Sequence, residues 1–171
     1  MNPAFIAGVL ARELKTLRRE VEAYADERDL WRLAPGIRNS AGTLALHLTG
    51  NLQHFVGTRL GQSGFVRDRD AEFSRRDAPR AELLQSIDET ITVVSAVLPR
   101  LGEADLERDY PEPVGGVSLR TGDFLLHLVA HFAYHLGQLD YHRRWVTGQQ
   151  GQVGAVPVRE LSSARPVVAQ K

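Results

Sequence analysis

Apolar side chains recur at spacings of three and four residues through four long stretches of this 171-residue chain. Such spacing places them on one face of an α-helix, and it constrains the fold more strongly than any other feature of the sequence. We predict helices over about residues 3–27, 41–60, 79–98 and 121–147. Because no segment gives a convincing sheet pattern, the expected fold is an all-α four-helix bundle. Facing helices of such bundles can build metal sites from inward side chains.

Breaks in the helical pattern divide the chain into a bundle and a tail. Residues 62–77 are polar and charge-rich and are predicted to form a loop. A short helical turn is expected at residues 103–106, and Gly148 ends the last long helix. Residues 1–148 are therefore the expected helical domain, and residues 149–171 are expected to form an extended or partly disordered tail.

Charge and composition exclude several classes of protein. Lys plus Arg and Asp plus Glu both number 21, so the formal net charge is zero, which argues against nucleic-acid binding through bulk positive charge. The chain has no Cys, and therefore no disulfide, no thiolate nucleophile and no cysteine-ligated zinc. The sequence shows no signal-peptide pattern and no apolar run of about 18 residues, so we expect a soluble cytoplasmic protein without a membrane partner.

Several catalytic signatures are also missing from the sequence. The segment His131-Phe132-Ala133-Tyr134-His135 has the histidine spacing of a zincin helix but lacks its glutamate. Gly115-Gly116 is a turn signal rather than a phosphate loop, and no serine lies in a nucleophile elbow. The chain thus offers no obvious nucleophile of its own. No conspicuous basic cluster near the histidines supports a phosphate substrate.

The placement of histidines is the strongest pointer to chemistry. Two of the six, His47 and His54, lie in the second predicted helix, and the other four lie in the last. At about 100° per residue, a single stripe of the last helix carries His127, His131, His135, Gln138 and His142. This stripe borders the apolar face of the helix, so its side chains are expected at the edge of the core.

Two histidines one turn apart on a helix can bind the same metal ion. A third imidazole from another helix would complete a set that leaves coordination positions open for water or substrate. His47 is the best third candidate because it borders the apolar face of its helix, and His54 is the alternative. The competing interpretation is that these are core histidines hydrogen-bonded to carbonyl groups. The run His142-Arg143-Arg144 fits better as positive charge at a helix C-terminus.

Two segments of the chain resemble the DinB/YfiT-like family of small bacterial metalloproteins. The first is Leu44-Ala45-Leu46-His47-Leu48, and the second, residues 127–138, is similar to the family's HxxxHxGQ-like segment. The likeness extends over the four-helix layout, about residues 2–148. It implies an up-up-down-down bundle with a three-histidine site for one divalent metal ion.

Carried over to this chain, the resemblance implies that His47, His131 and His135 are the metal ligands. Zn²⁺ or Ni²⁺ is the expected ion, with Fe, Mn and Co as alternatives, because imidazole suits all of them. The family includes transferases of low-molecular-weight thiols and a maleylpyruvate isomerase that uses such a thiol as cofactor. His127 and Gln138 would then orient the ligands or the substrate.

The expected function is a metal-dependent enzyme acting on a small molecule, either a thiol transferase or a hydrolase. The metal would lower the pKa of a bound thiol or water. The missing glutamate favours the thiol as co-substrate, because a thiolate needs less help from a protein base. The alternatives are a non-catalytic metal-binding stress-response protein and a structural dimeric bundle.

The last helix also predicts a homodimer. Its apolar residues outside the histidine stripe are Leu126, Val129, Ala130 and Ala133. A helix that is apolar on most sides needs cover on most sides, and a second copy of the chain is the simplest source of it. The expected packing residues of this helix are Tyr134, Tyr141 and Trp145.

Overall fold

The four apolar-periodic stretches form the long helices of an all-α bundle. The structure is a computed structural model that describes residues 2–33 and 35–167. Within those residues the α-helices are α1 (Pro3–Glu22), α2 (Ala41–Leu52), α3 (Arg69–Ser74), α4 (Arg80–Val97), α5 (Glu103–Leu106) and α6 (Thr121–Thr147). The predicted segments 1–148 and 149–171 each extend beyond the described part, because Met1, Ala34 and residues 168–171 lie outside it.

Capping residues determine where several of the long helices begin and end. Asn2 and Ser40 cap α1 and α2, their side-chain oxygens accepting hydrogen bonds from backbone amides. Gly148 ends α6 in the left-handed conformation, with a φ of 71°. The prediction that the first helix runs to about residue 27 is wrong, because α1 ends at Glu22 and a 3-10 turn, Glu27–Leu30, follows it.

The middle of the chain is more helical than predicted. The helix expected over residues 41–60 is α2 followed by a π-helical stretch, Gln53–Thr58. The segment 62–77, predicted as a loop, contains α3, whose first turn is capped by Asp68. The helical turn predicted at residues 103–106 is confirmed as α5.

Contacts at the helix ends give the directions of the long helices. Arg80 at the start of α4 donates a hydrogen bond to the carbonyl of Tyr24, just beyond the end of α1, so these helices run antiparallel. Phe55, in the π-helical continuation of α2, packs edge-on against Phe124 at the start of α6, with ring centroids 4.9 Å apart. Therefore α2 and α6 also run antiparallel.

The opposite ends of α1 and α6 complete the topology. Glu20 and Arg143, near the C-termini of these helices, form a buried ion pair of 2.5 Å, so α1 and α6 run parallel. In chain order the long helices therefore run up, down, down, up, and the up-up-down-down order implied by the resemblance is wrong for this chain. The chain reverses between α1 and α2, and the crossover lies between α2 and α4. That crossover carries α3 along the bundle.

The core lies between the four long helices, and α1 and α2 each pack against both α4 and α6. The predicted apolar face of α6 is buried, and its residues are Leu125, Leu128, Phe132, Leu136 and Leu139. The expectation that Tyr134, Tyr141 and Trp145 are packing residues is wrong within one chain, since they are 66%, 77% and 56% exposed. They lie on the side of α6 that faces away from the other helices.

Residues after α6 run along the bundle. Arg143 donates a hydrogen bond of 3.0 Å to the carbonyl of Gly151, and Arg19 donates one of 3.0 Å to the carbonyl of Gly154. A 3-10 turn, Val158–Glu160, follows. In the part of the chain that the structure describes, none of the helices is long and apolar enough to cross a membrane.

Candidate metal centre

Three histidines from two facing helices meet beside the core. His47 comes from α2, and His131 and His135 come from successive turns of α6. One ring nitrogen of each lies within 4.8 Å of the others. Nε2 of His47 is 3.2 Å from Nε2 of His131. His47 is buried and the other two are half-buried, so the cluster lies at the edge of the core.

His47 is held by a carboxylate on the opposite side from the cluster. Its Nδ1 donates a hydrogen bond of 2.9 Å to Oε2 of Glu72, which directs Nε2 toward His131. Arg67 binds both oxygens of the same carboxylate, at 2.6 Å and 2.8 Å. Burial alone would raise the pKa of Glu72, but hydrogen bonds from Arg67 and His47 outweigh it and lower the pKa. Glu72 is therefore an anion that fixes one imidazole tautomer.

A glycine in α2 makes room for this carboxylate. A Cβ at Gly50 would overlap Oε1 of Glu72 and lie 3.0 Å from its Cδ. Gly50 follows His47 by one turn of α2, so the helix surface is indented beside the histidine. The indentation lets α3 approach α2 closely enough for Glu72 and Phe73 to contact the imidazole, with the Phe73 ring centroid 4.8 Å from that of His47.

The two histidines of α6 are neutral in this environment. Burial, followed by the neighbouring histidine rings, lowers the pKa of His131 to about 4. Burial also lowers the pKa of His135, although its hydrogen bond with Gln138 acts in the opposite direction. Nδ1 of His135 lies 2.8 Å from Oε1 of Gln138, so Nε2 is its remaining free nitrogen. A neutral imidazole with one nitrogen occupied and the other free is the form that binds a metal.

This set of donors fits a divalent transition metal. Zn–N bonds of about 2.0–2.1 Å place tetrahedral ligand nitrogens roughly 3.3 Å apart. The His47–His131 pair, at 3.2 Å, already has that spacing. Three protein ligands leave at least one coordination position for another molecule, as in catalytic rather than structural sites. The residues His47, His131 and His135 can therefore hold one metal ion.

Three other histidines do not join the cluster. His54, the alternative ligand, lies 2.8 Å from a carboxylate oxygen of Glu112 on the loop before α6. His127 is exposed and stacks on His131 with ring centroids 6.1 Å apart, one turn before the cluster. His142 is buried at the far end of α6 and bonds to Tyr24 and to the carbonyl of Arg32.

Sequence reasoning missed Glu72, Arg67 and Gly50. Arg67 and Glu72 lie in the crossover, in the segment predicted as a loop, and Gly50 of α2 acts by making room for Glu72. One signal could have indicated α3: Asp68 stands at the N-cap with Asp70 and Glu72 in the first turn, a typical helix start. Nothing in the sequence places that short helix beside His47.

Comparison with known families gives one match. The family described as "Protein of unknown function (DUF1572)" matches residues 9–160, and the chain belongs to this family. No curated protein and no solved structure matches the chain. The matched range includes all six α-helices except the first turns of α1, and it contains the histidine cluster.

Proposed function

We propose that this member of the DUF1572 family is a DinB-like metal-dependent enzyme that transfers a low-molecular-weight thiol to a small electrophilic substrate. The observation that carries the proposal is the convergence of His47, His131 and His135, with ligand nitrogens within 4.8 Å of one another. The resemblance of residues 44–48 and 127–138 to the DinB/YfiT-like family supports the same assignment. Zn²⁺ or Ni²⁺ is the proposed ion, with Fe, Mn and Co as alternatives.

A divalent cation held there would lower the pKa of a thiol or water at its open positions, so that the anion forms near neutral pH. The residues of the chain favour the thiol. Both oxygens of Glu72 are engaged by Arg67 and His47, so this carboxylate orients a ligand and is not free to accept a proton. A thiol, with a pKa of about 8.5, needs far less assistance than water.

The remaining polar residues have positioning roles in this proposal. Gln138 holds His135 through Nδ1 and also lines a cavity of about 390 Å³ together with Arg38 and Leu44. This cavity is the proposed space for the substrate next to the cluster. His127 lies exposed one turn from His131, where it would contact substrate rather than metal. The proposal places the protein in the cytoplasm, where small thiols are kept reduced.

A panel of reactions tests the proposal. Tag-free protein is stripped of metal, reloaded with Zn²⁺ or Ni²⁺, and mixed with bacillithiol, mycothiol or glutathione plus an electrophilic acceptor. Esters and amides without a thiol form the parallel set. We expect metal-dependent consumption of one thiol and no turnover of the esters and amides.

Two variants separate the site from the rest of the protein. His131→Ala removes a proposed ligand, and His54→Ala removes a histidine of the second helix that lies outside the cluster. We expect the first to lose both metal and activity and the second to keep both. Turnover of an ester without thiol would replace the transferase by a hydrolase. Silence across the panel with metal bound would favour a non-catalytic metal-binding protein.

A further inference from the structure

The outer face of α6 is an apolar surface that no other helix covers within the described residues. We define this outer face by seven residues, Leu126, Ala130, Ala133, Tyr134, Gly137, Tyr141 and Trp145, all of which are exposed. Between Phe124 and Leu139 the helix contains no Asp, Glu, Lys or Arg. A helix that faces solvent ordinarily carries charge on that side. Continuous exposed apolar surface of this kind marks an interaction site.

We propose that the outer face of α6 binds the same face of a second copy, with the two α6 helices antiparallel about a twofold axis between Ala133 and Tyr134. In a twofold contact each surface must complement itself. This register places Leu126 opposite the partner's Tyr141, and Ala130 opposite the partner's Gly137. Large residues thus meet near the ends, and small residues meet beside the axis.

The charged residues at the two ends of the outer face also favour the antiparallel register, because it brings opposite charges together. Asp123 lies at the N-terminal end, exposed, and has no ion-pair partner among the described residues. Arg144 lies at the C-terminal end, where it binds Asp140 of its own helix at 3.0 Å. The proposed axis brings Asp123 opposite the partner's Arg144. A parallel arrangement would instead place like charges together at each end.

The small residues in the middle of the face allow close approach. Ala130, Ala133 and Gly137 have at most a methyl side chain, and a Cβ at Gly137 would meet nothing within 4 Å in a single chain. Two helices can therefore approach to the 8–10 Å axial distance typical of packed helices. Trp145 then lies level with the partner's Gly122, at a cavity of about 400 Å³ between α5 and α6.

The dimer would bring the second copy next to the histidine cluster. Tyr134, beside the proposed axis, packs edge-on against His135 with ring centroids 5.2 Å apart. Gln138 and His127 border the same face. The partner would thus narrow the approach to the cluster from this side of α6.

Sedimentation equilibrium of the full tag-free chain tests the interface. We expect a dimer at micromolar concentration. Ala130→Arg should raise the dimer dissociation constant by more than about 100-fold, because it buries a charge at the centre of the contact. Ala96→Arg makes the same change at an exposed alanine of α4 and should leave the dissociation constant unchanged. Helix content from circular dichroism confirms that both variants fold.

Engineered cysteines test the register, because the natural chain contains none. Equal amounts of Ala130→Cys and Gly137→Cys proteins, mixed under mild oxidation, should form a disulfide-linked heterodimer. Neither variant alone should form one, because seven residues separate the two positions by about 10 Å along the axis, beyond the 4.4–6.8 Å between disulfide Cα atoms. Equal linking of each variant alone would overturn the antiparallel register. A chain that stays monomeric at all concentrations would overturn the proposed interface. If that monomeric chain bound phosphatidylglycerol vesicles, the outer face would instead be assigned to contact with a lipid surface.

Discussion

The same helix carries two kinds of histidine environment, one buried and one half-buried, and they differ in whether the second ring nitrogen has a partner. At the C-terminal end of α6, His142 donates from Nε2 to the carbonyl of Arg32 and accepts at Nδ1 from the hydroxyl of Tyr24, both at 2.8 Å. Both nitrogens are therefore occupied within the fold. In the middle of α6, the His135 ring packs against His131; its Nδ1 is bound to Gln138, and its Nε2 has no hydrogen-bond partner among the described residues.

This contrast separates a structural histidine from a proposed metal ligand. The carbonyl of Arg32 can only accept, so His142 must be protonated at Nε2 and has no lone pair free for a metal. His47 has the reverse arrangement, since Glu72 accepts the Nδ1 hydrogen and leaves the Nε2 lone pair facing His131. Burial alone does not distinguish the two cases, because His47 and His142 are both buried.

Removing one histidine of each kind should have opposite consequences for metal binding. His131→Ala removes a ligand nitrogen and should lower the affinity for Zn²⁺ by more than about 100-fold, beyond the loss typical of residues that only orient a ligand. His142→Ala should leave that affinity unchanged. A competition titration against a chromophoric chelator measures both. Equal affinities for His131→Ala and the unmodified protein would mean that the ligands are assigned wrongly.

For folding stability we expect the larger effect from changing His142. His142→Phe leaves the Tyr24 hydroxyl and the Arg32 carbonyl without their buried partner, at about 1–3 kcal/mol for each group. We expect the free energy of unfolding in urea, with chelator present, to fall by about 3 kcal/mol. His127→Phe alters an exposed histidine and should change it by less than about 0.5 kcal/mol. A small effect of His142→Phe would show that its hydrogen bonds are dispensable.

Changing a residue that only orients a histidine should lower the affinity for metal less than removing a proposed ligand does. Glu72→Gln keeps an oxygen that can accept from His47 but removes the negative charge that stabilises its tautomer. We expect the affinity for Zn²⁺ to fall about 10-fold, the lower end of the range for residues that orient a metal-binding histidine. Glu82→Gln, at a partly exposed glutamate paired with Arg75, is the matched control and should have no effect. If both variants bind metal equally, the contact between Glu72 and His47 has no part in binding.

The pH dependence of stability should reveal the neutral histidines of both regions. Burial lowers the pKa of His131 to about 4 and lowers that of His142. In the unfolded chain both titrate near 6.5, so below that pH the unfolded state binds protons that the folded state does not. The free energy of unfolding of metal-free protein should therefore be greatest above pH 6.5 and fall toward pH 4.

Each such group contributes up to about 1.4 kcal/mol per pH unit within that window. His142→Phe should consequently show a shallower pH dependence than the unmodified protein. Urea unfolding between pH 7.5 and 5 provides the measurement. Stability that rises as the pH falls through this range would contradict the assignment of neutral buried histidines.

The sequence alone predicted those features of the fold that the spacing of residues along a helix determines. The spacing of apolar residues located the long helices, and the end of α6 at Gly148 follows from the conformational freedom of glycine. The same helical arithmetic placed His131 and His135 one turn apart at the edge of the core. These features depend on residues close together in the chain, where helix geometry determines which side chains share a face.

Features that depend on the crossover were not predictable in the same way. Glu72 is one carboxylate in a charge-rich segment, and its contact with His47 arises only because α3 packs against the indentation at Gly50. His142 belongs to the same helical stripe as the proposed ligands His131 and His135. Its different role is set by Tyr24 and Arg32, which are more than 100 residues away in sequence.

The central claim is that His47, His131 and His135 bind one metal ion through the nitrogens left free by the fold. Long-range ¹H–¹⁵N spectra of the histidine rings, recorded while metal-free protein is titrated with Zn²⁺, test it most directly. We predict that the Nε2 signals of these three rings change together and stop changing at one Zn²⁺ per chain, while His142 keeps its Nε2–H tautomer throughout. Unchanged spectra, or a response of His142 in place of His131, would contradict the account.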